Sequence, residues 1–334
     1  MQNIEATQTP VEVVKLDLKD KKILFELDFD ARMPFSKLSK KVGLSKRSVE
    51  YRVKRLAEAG VIKKFCTVTN AHKFYHHHSC NTLIAFKNAG KVDREKIFKY
   101  LFNHRKGLWV SKGEGSYDIL ITTYTKTLIE FKKFIEEFNS KFKDKIKIVS
   151  HYIIADNIQF QARFLLGVED GKMFHTRESF QNVKIDNLDR KILIAIRNDA
   201  RKPLIKISKQ VSQSSKVVAY RIKKMERNKI IECYRTYLDY NKMGYLWYKI
   251  FININKISLR RLEKLKRYIG SKPIVKAIIE EFGSLADLNV EVVVSSEKQL
   301  LDFIHEMKIK FPGVIEDYKT VVSYGNARWY TGPL

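Results

Sequence analysis

The sequence has few cysteines and no long apolar run, and these absences narrow the class of protein. Among 334 residues the cysteines are Cys66, Cys80 and Cys233. They form no Cys-x-x-Cys pair, so they indicate neither a zinc ribbon nor a disulfide framework and fit a reducing compartment. No stretch approaches the ~18 apolar residues of a membrane span. The first residues lack the basic start and apolar core of a signal peptide. We therefore expect a cytoplasmic protein without a membrane partner.

Acidic residues are scarce relative to basic ones. The chain has 37 Asp and Glu against 64 Lys and Arg, a formal net charge of +27. This excess indicates a polyanionic partner, nucleic acid before membrane, whereas general solubility in a crowded or salty cytoplasm is the plainer alternative. The 44% hydrophobic content argues against overall disorder, and the length predicts two to four compact units.

The chain contains an internal sequence repeat of two copies. Residues 15–54 align without a gap on residues 184–223, an offset of 169, and nineteen of the 40 pairs are identical. The same offset holds downstream, where Asp118 matches Asp287. Two copies are too few for a solenoid. We therefore interpret the chain as a tandem duplication.

Each copy changes character partway along. Its first part has the apolar spacing of three short helices followed by an alternating strand. Its second part has the strand–helix–strand–strand–helix–strand order of a ferredoxin-like domain. The predicted fold class is α+β, with two copies of a (winged) helix-turn-helix followed by a ferredoxin-like βαββαβ domain. The predicted segments are a flexible tail (1–14), helix-turn-helix domain 1 (15–70), ferredoxin-like domain 1 (79–168), a linker (169–183), helix-turn-helix domain 2 (184–240), ferredoxin-like domain 2 (245–323) and a C-terminal tail (324–334).

The segment 36–56 has the shape of a helix-turn-helix, whose second helix enters the major groove of DNA. Gly43 suits the left-handed residue of the turn, Leu44 can fill the space between the helices, and Ser45 is a good N-cap.

Copy 2 departs from this pattern. Ser212, Gln213 and Lys229 stand where copy 1 has glycine, leucine and glycine. A serine in a left-handed turn costs on the order of 1 kcal/mol. The second turn is therefore either reshaped, or its helix binds DNA more loosely or at other sequences.

The third helix of each copy has an apolar side and a basic side. On a wheel of ~100° per residue, Val49, Val53 and Leu56 cluster together. The opposite side suits guanine edges, phosphates and thymine methyl groups. Arg52 and Arg221 lie nearer the buried side, where we expect them to pair with aspartates of the first helix. The candidate DNA-binding residues are Lys37, Lys40, Ser45, Lys46, Arg47, Ser48, Tyr51, Lys54 and Arg55 in copy 1, and Lys206, Lys209, Ser214, Ser215, Lys216, Tyr220, Lys223 and Lys224 in copy 2.

Charge is concentrated around these helices. Residues 36–64 carry a net charge of +8 and residues 205–233 carry +6, together about half of the chain's excess. Ordinary solvated helix faces mix charges of both signs, so this bias favours a nucleic-acid interface.

Several motifs of copy 1 resemble those of the Lrp/AsnC regulators, also called feast/famine proteins. D-x-x-D-x-x-I-L (Asp17–Leu24), D-A-R (Asp30–Arg32) and V-G-L-S-x-x-x-V-x-x-R-V-K-R-L…G-V-I (Val42–Ile62) are similar to their N-terminal half. G-x-x-D-I-L-I (Gly115–Ile121) resembles their ligand-sensing RAM domain. The resemblance covers nearly the whole chain, twice.

The resemblance implies a prokaryotic transcription factor that binds double-stranded DNA. Its α/β domains would dimerise sheet to sheet and bind an amino acid or another small-molecule effector between subunits. The usual member carries one helix-turn-helix and one RAM domain, so the tandem form puts the family's octameric ring in doubt. One chain acting as its own pseudo-dimer and a four-headed homodimer are both open.

The turn at residues 113–118 corresponds to a region where the family is thought to hold its effector. The alternative is a tight turn in which glycine supplies positive φ and aspartate caps the turn. The candidate effector-binding residues are Gly113, Gly115 and Asp118 in copy 1, and Gly283 and Asp287 in copy 2.

The run His76, His77 and His78 does not form a metal site in our interpretation. Adjacent residues of a strand point to opposite faces, and no second cluster supplies the remaining ligands. We interpret the run as a linker and predict no metal and no cofactor. The aromatic residues of the segment 324–330 are expected to cover a sheet edge or a partner subunit.

Two other functions compete with a site-specific regulator. Siroheme decarboxylases resemble the same family in fold and pair similar halves around a tetrapyrrole. However, copy 2 has very few histidines, and the sequence offers no nucleophile–base pair or acid–base carboxylate pair, so we predict no enzyme. An architectural protein that ignores DNA sequence is the second alternative.

Overall fold

The computed structural model describes residues 12–74, 78–104, 109–177, 183–283 and 286–328, and for Arg177 and residues 324–328 it describes the backbone alone. In both copies three helices precede a strand, and the strand–helix–strand–strand–helix–strand order follows. The predicted fold class is therefore confirmed.

The elements of the first copy are α1 (Leu18–Phe29), α2 (Phe35–Val42), α3 (Lys46–Glu58), β1 (Ile62–Thr69), β2 (His78–Phe86), α4 (Lys91–Asn103), β3 (Trp109–Glu114), β4 (Ile119–Thr125), α5 (Leu128–Phe142), β5 (Ile146–Phe160) and β6 (Met173–Arg177). Those of the second copy are α6 (Asn187–Ile196), α7 (Leu204–Val211), α8 (Ser215–Arg227), β7 (Ile231–Leu238), β8 (Leu246–Ile254), α9 (Leu259–Ser271), β9 (Val275–Phe282), β10 (Leu288–Val294), α10 (Glu297–Lys310) and β11 (Ile315–Arg328).

The segment 169–183 is not the irregular linker expected from its polarity, because it contains β6. The amide of Gln161 donates to the carbonyl of Lys172 at 2.9 Å. The amide of Lys172 donates in return to the side-chain oxygen of Gln161 at 2.8 Å. The ring of Phe174 lies 5.5 Å from that of Phe29. Contacts distant in sequence thus order a strand that has no apolar alternation of its own.

The C-terminal segment is also more regular than expected. Strand β11 continues to Arg328, where its backbone lies opposite Val110 of β3, so the neighbouring strand extends it into the expected tail. Residues 329–334, residues 1–11 of the N-terminal tail, and His76 and His77 lie outside the described residues, while His78 begins β2.

The chain forms two compact units, and each contains parts of both copies. The head unit contains residues 13–76 and 159–244, and the sheet unit contains residues 77–158 and 245–330. No helix among the described residues is long and apolar enough to cross a membrane.

The head unit contains two similar heads, head 1 (α1, α2, α3 and β1) and head 2 (α6, α7, α8 and β7). Each begins with a capping box, in which Asp17 accepts from the amide of Asp20 and Asp186 from the amide of Asp189. This arrangement satisfies amides that would otherwise lack a partner in the first helical turn. The heads are joined by antiparallel pairing of β1 with β7.

Contacts between the heads are reciprocal. The amide of Ala31 donates to the carbonyl of Tyr234 at 2.8 Å, and the amide of Ala200 donates to that of Phe65 at 2.9 Å. These are the same contact with the two copies exchanged, as in an isologous dimer. An approximate two-fold axis therefore relates the heads within one chain.

The axis passes between Cys66 and Arg235, which are equivalent residues and lie opposite each other. Their difference breaks the symmetry. Arg235 is 4% exposed and Asp28 is 2% exposed. Arg235 Nη2 donates to Asp28 Oδ2 at 2.9 Å. One buried ion pair thus joins β7 of head 2 to α1 of head 1.

The sheet unit contains two four-stranded sheets, in the orders β5-β2-β4-β3 and β11-β8-β10-β9. They pair edge to edge through β3 with β11 and through β9 with β5. Because β9 is the second copy of β3 and β11 is that of β5, these joins are again reciprocal. The eight strands therefore close into a barrel within one chain.

The interior of the barrel is partly apolar and partly charged. The ring of Tyr117 packs at 6.0 Å from that of Phe251 of the other copy. Elsewhere, Lys249 and Lys276 both bind the buried carboxylate of Glu291. Burial acts to raise the pKa of Glu291, but the two ammonium groups outweigh it and lower that pKa to about 2. This carboxylate is therefore ionised at neutral pH.

Candidate nucleic-acid interface

The turn between α2 and α3 has the predicted geometry. Gly43 has φ +63° and ψ +53°, in the left-handed region. The ammonium of Lys19 donates to the carbonyl of Val42 at 2.6 Å, which places a positive charge at the carboxyl end of α2. Ser45 accepts from the amide of Ser48 at 3.1 Å, so its predicted N-cap role is confirmed. Lys19 was not predicted, because its contact spans 23 residues and leaves no local signal.

The second turn keeps the same backbone despite its different residues. Ser212 has φ +54° and ψ +47°. Lys229 has φ +55°, where the equivalent Gly60 has φ +73°. A reshaped turn is therefore ruled out, and the strain stays in the folded chain. Ser214 caps α8 by accepting from the amide of Val217.

Helices α3 and α8 each bury one side. Val49, Val53 and Leu56 are buried in head 1, as predicted. Val218, Ile222 and Met225 are the buried residues of α8. This packing fixes which side chains of each helix point outward, so the orientation of the candidate interface follows from the core.

Most of the candidate DNA-binding residues are exposed on the outward side. Tyr51 is 67% exposed and Tyr220 is 57% exposed, although tyrosine has a large apolar ring. Ser48 and Ser215 are half-buried. The exposed candidates are Lys37, Lys40, Ser45, Lys46, Arg47, Tyr51 and Lys54 in copy 1, and Lys206, Lys209, Ser214, Lys216, Tyr220, Lys223 and Lys224 in copy 2.

The arginines nearer the core act within each head. Arg52 Nη1 lies 2.6 Å from Asp17 and 2.8 Å from Asp20. The equivalent Arg221 lies 2.6 Å from Asp186. The expected pairing with aspartates of the first helix is confirmed.

Arg55, a candidate DNA-binding residue, also contacts the first helix. Its Nη2 donates to Asp20, while 41% of its side chain remains exposed. The equivalent Lys224 is exposed. Head 1 thus uses a guanidinium internally at a position where head 2 presents an ammonium to solvent.

In the candidate effector turns, two carboxylates hold the backbone together. Asp118 accepts from the amide of Phe86 at 2.6 Å, and Asp287 accepts from that of Ile254 at 2.7 Å. Gly113 admits the ring of Tyr117, which would lie 2.6 Å from a Cβ at that position.

The two remaining candidates, Gly115 and Gly283, have positive φ. Beside the first turn is a cavity of about 20 Å³, bordered by Ser116 and Phe251 among others. This volume is enough for about one water molecule. The geometry is that of a structural turn.

Among the described residues, no group of three or more His, Cys, Asp or Glu side chains could hold a metal ion.

Comparison with known proteins matches both heads to one family. The family described as winged helix-turn-helix DNA-binding matches residues 16–63 and 185–232. The HTH-type transcriptional regulator FL11 of Pyrococcus furiosus is 34% identical over 125 residues, which are 37% of this chain and 81% of that protein. The regulatory protein AsnC of Haemophilus influenzae is 30% identical over 115 residues, 34% of this chain and 75% of that protein.

One solved structure matches residues of both copies. The crystal structure of the siroheme decarboxylase NirDL aligns with 93% of this chain over 92% of the NirDL chain, with a TM-score of 0.59 and 11% sequence identity. At that identity the similarity concerns the fold alone. FL11 and AsnC, which are at least 30% identical to this chain over the matched residues, are transcriptional regulators by name.

Proposed function

We propose a mechanism from one premise: the chain belongs to the Lrp/AsnC family of DNA-binding transcriptional regulators, as a tandem-duplicated member. In this mechanism α3 and α8 enter major grooves of double-stranded DNA and recognise a specific site. The supporting observation is the outward side of both helices, where Tyr51 and Tyr220 stand exposed among basic side chains.

The outward residues divide into two roles. Arg47 and Lys216 lie in the first turn of their helices, where side chains of a recognition helix reach base edges, and they would bind guanine. The tyrosines would contact a thymine methyl group or a sugar. The flanking residues would neutralise phosphates or hydrogen-bond to them: Lys37, Lys40, Ser45, Lys46, Ser48, Lys54, Arg55, Lys206, Lys209, Ser214, Ser215, Lys223 and Lys224.

The approximate two-fold axis between the heads supports recognition of two half-sites by one chain. Proteins with paired helix-turn-helix heads bind half-sites about one helical turn, or a multiple of it, apart. A homodimer through the α/β domains stays a prediction. It would have to use the helical faces of those domains, because the strands of the two sheets are already paired within the chain.

Sensing of an amino acid or another small molecule also stays a prediction. Its candidate residues are Gly113, Gly115, Asp118, Gly283 and Asp287. The carboxylates of Asp118 and Asp287 already accept backbone hydrogen bonds, and the cavity beside the first turn is small. An effector would therefore bind at these turns only when the turns open.

Binding of the purified full chain to the DNA upstream of its own gene, and to scrambled DNA, tests the proposal across a salt titration. We expect a preference for the upstream DNA that survives physiological salt. The double variant R47A/K216A should lose at least about tenfold in affinity, since each good base contact contributes ~1–3 kcal/mol. The charge-matched control K132A/K298A removes two exposed lysines from α5 and α10 and should bind as the wild type does.

The opposite result would favour the architectural alternative. Equal affinity for both DNAs, falling steeply as salt rises, would mean that the protein only neutralises phosphates. In that case R47A/K216A would weaken binding to both DNAs equally.

A further inference from the structure

The two candidate recognition helices share some outward residues and differ in others. Tyr51 and Tyr220 are equivalent, as are Lys54 and Lys223, and all four are exposed. The shared residues would give the two heads a common general affinity for DNA. Four of the differing positions lie within the first five residues of the two helices, where the helices would meet base edges.

The first difference concerns the shape of the cation. Arg47 carries a planar guanidinium that can bind guanine through two parallel hydrogen bonds. The equivalent Lys216 carries a compact ammonium, which acts as a point charge. Both side chains are exposed. Head 1 therefore demands a defined base at this position more strictly than head 2.

The second difference exchanges a hydroxyl group for methyl groups. Ser48 Oγ lies 2.8 Å from Ser45 Oγ and can donate to or accept from a base edge. The equivalent Val217 has no hydrogen-bonding side chain and suits the methyl group of thymine. Head 2 therefore favours an apolar contact where head 1 makes a polar one.

The third difference concerns charge. Lys46 pairs with Glu50 at 3.6 Å on the exposed side of α3. The equivalent residues are Ser215 and Ala219, and Ser215 donates instead to Ser208 within head 2. The carboxylate of Glu50 can accept from cytosine and repels nearby phosphates, whereas Ala219 can do neither.

Because of these differences, the outward side chains of the two heads are not symmetric although their backbones are. Reciprocal contacts place the heads as in a two-fold dimer, so their half-sites must run in opposite directions. The side chains that would meet the bases are nevertheless not the same.

We propose that one chain recognises an asymmetric DNA site, made of two inverted half-sites of different sequence, and binds it in a single orientation. This inference depends on the proposed function. The half-site of α3 contains a guanine bound by Arg47, and the half-site of α8 contains a thymine beside Val217. A symmetric palindrome is therefore not the preferred site.

The test selects binding sites from random DNA duplexes with the full-length protein and two variants. The variant S215K/K216R/V217S/A219E gives head 2 the residues that head 1 has at these four positions. The reciprocal variant K46S/R47K/S48V/E50A gives head 1 those of head 2. Thermal unfolding of each variant checks that it still folds. Y51A/Y220A changes both heads equally and serves as a control that should weaken binding without altering symmetry.

We expect the wild type to select two inverted halves of different sequence. It should bind this site at least about tenfold more tightly than a palindrome built from either half. Each head-swapped variant should instead select a palindrome, one built from each half of the wild-type site.

Three results would contradict the inference, and they have different meanings. A palindrome selected by the wild type would refute the asymmetric site but leave the proposed function intact. Selection of no motif by the wild type would refute both. Variants that kept the asymmetric wild-type motif would show that these four positions do not determine it.

Discussion

Two side chains stand in left-handed backbone where the other copy has glycine. Ser212 is equivalent to Gly43, and Lys229 is equivalent to Gly60, and all four have positive φ. A side chain in this region costs about 1–2 kcal/mol. Replacement by glycine would recover only part of that free energy. Glycine also increases the conformational entropy of the unfolded chain, which lowers stability by about 0.4–1 kcal/mol.

We expect S212G and K229G each to raise the free energy of unfolding by about 0.5–1 kcal/mol. Urea denaturation at neutral pH measures the change. The reciprocal variant G43S should lower the same free energy. A decrease on S212G would mean that the serine makes a contact worth more than the strain it bears.

The buried carboxylate of Glu291 makes stability depend on pH. Its pKa falls from the ordinary 4.5 to about 2 in the folded chain. A carboxylate with a lowered pKa stabilises the fold above its unfolded pKa, and this contribution disappears as pH falls through the folded value. The contribution should therefore be lost between about pH 4.5 and pH 2.

We expect E291Q to destabilise the protein at pH 7 by about 3–5 kcal/mol, because Lys249 and Lys276 would remain buried and charged after losing the carboxylate that both bind. Its stability should also change less than that of the wild type between pH 4.5 and pH 2. The control E136Q removes an exposed partner of Lys132 and should change stability by at most about 0.5 kcal/mol. Equal behaviour of the two variants in chemical denaturation would contradict this account.

At the scale of elements, the pairing of β1 with β7 depends on a buried ion pair. Replacing one partner of such a pair leaves an unpaired charge, whereas replacing both by apolar residues is often neutral or stabilising. We expect D28A to cost about 3–5 kcal/mol and the double variant D28L/R235M to regain most of that loss. Unfolding curves of the two variants measure the difference. A double variant as unstable as D28A would show that the other hydrogen bonds of the pair matter more than its charges. These bonds join Arg235 to Gln159 and Phe160, and Asp28 to the amide of Ala162.

Local elements could be predicted from the sequence, and their pairing could not. Helix α5 is the second helix that the sequence predicts for ferredoxin-like domain 1, since apolar spacing and the N-cap of Thr127 are local signals. The outward direction of Arg47 follows in the same way from the apolar spacing of α3. In contrast, Arg55 meets Asp20 across 35 residues, and β1 meets β7 from the other copy. Single-sequence periodicity holds no information on such distant partners.

Two residues of the buried ionic cluster that the sequence analysis missed, Glu291 and Lys249, have a recognisable signal in the sequence. Glu291 is a lone charge within the otherwise apolar strand Leu288–Val294, apart from Asn289, and Lys249 interrupts the apolar strand Leu246–Ile254. A charge in the middle of a buried strand predicts a buried partner. Which partner it finds depends on the register of the sheet, and the sequence alone does not specify that register.

At the scale of the whole molecule, both units depend on both copies. Head 1 pairs with head 2, and each sheet completes the barrel of the other. A single copy would expose the edges of β1, β3 and β5, and exposed strand edges promote aggregation.

We therefore expect residues 1–180 and 181–334, produced together as separate chains, to purify as a complex when only one carries a tag. Each half produced alone should aggregate or pair with itself. Size-exclusion chromatography with light scattering distinguishes these states. A soluble, folded monomer of either half would contradict the interdependence.

The join between β1 and β7 also has a consequence for inheritance. When the two heads of a regulator come from separate chains, a defective allele can inactivate mixed dimers that contain one defective head. Here the two heads are translated together and pair with each other, at an effective concentration that dilution cannot lower. A cell carrying one normal and one defective allele should therefore keep a full set of intact two-headed molecules from the normal allele. For a chain that acts as its own pseudo-dimer, loss-of-function alleles that affect DNA recognition should be recessive, whereas the predicted homodimer would mix normal and defective chains.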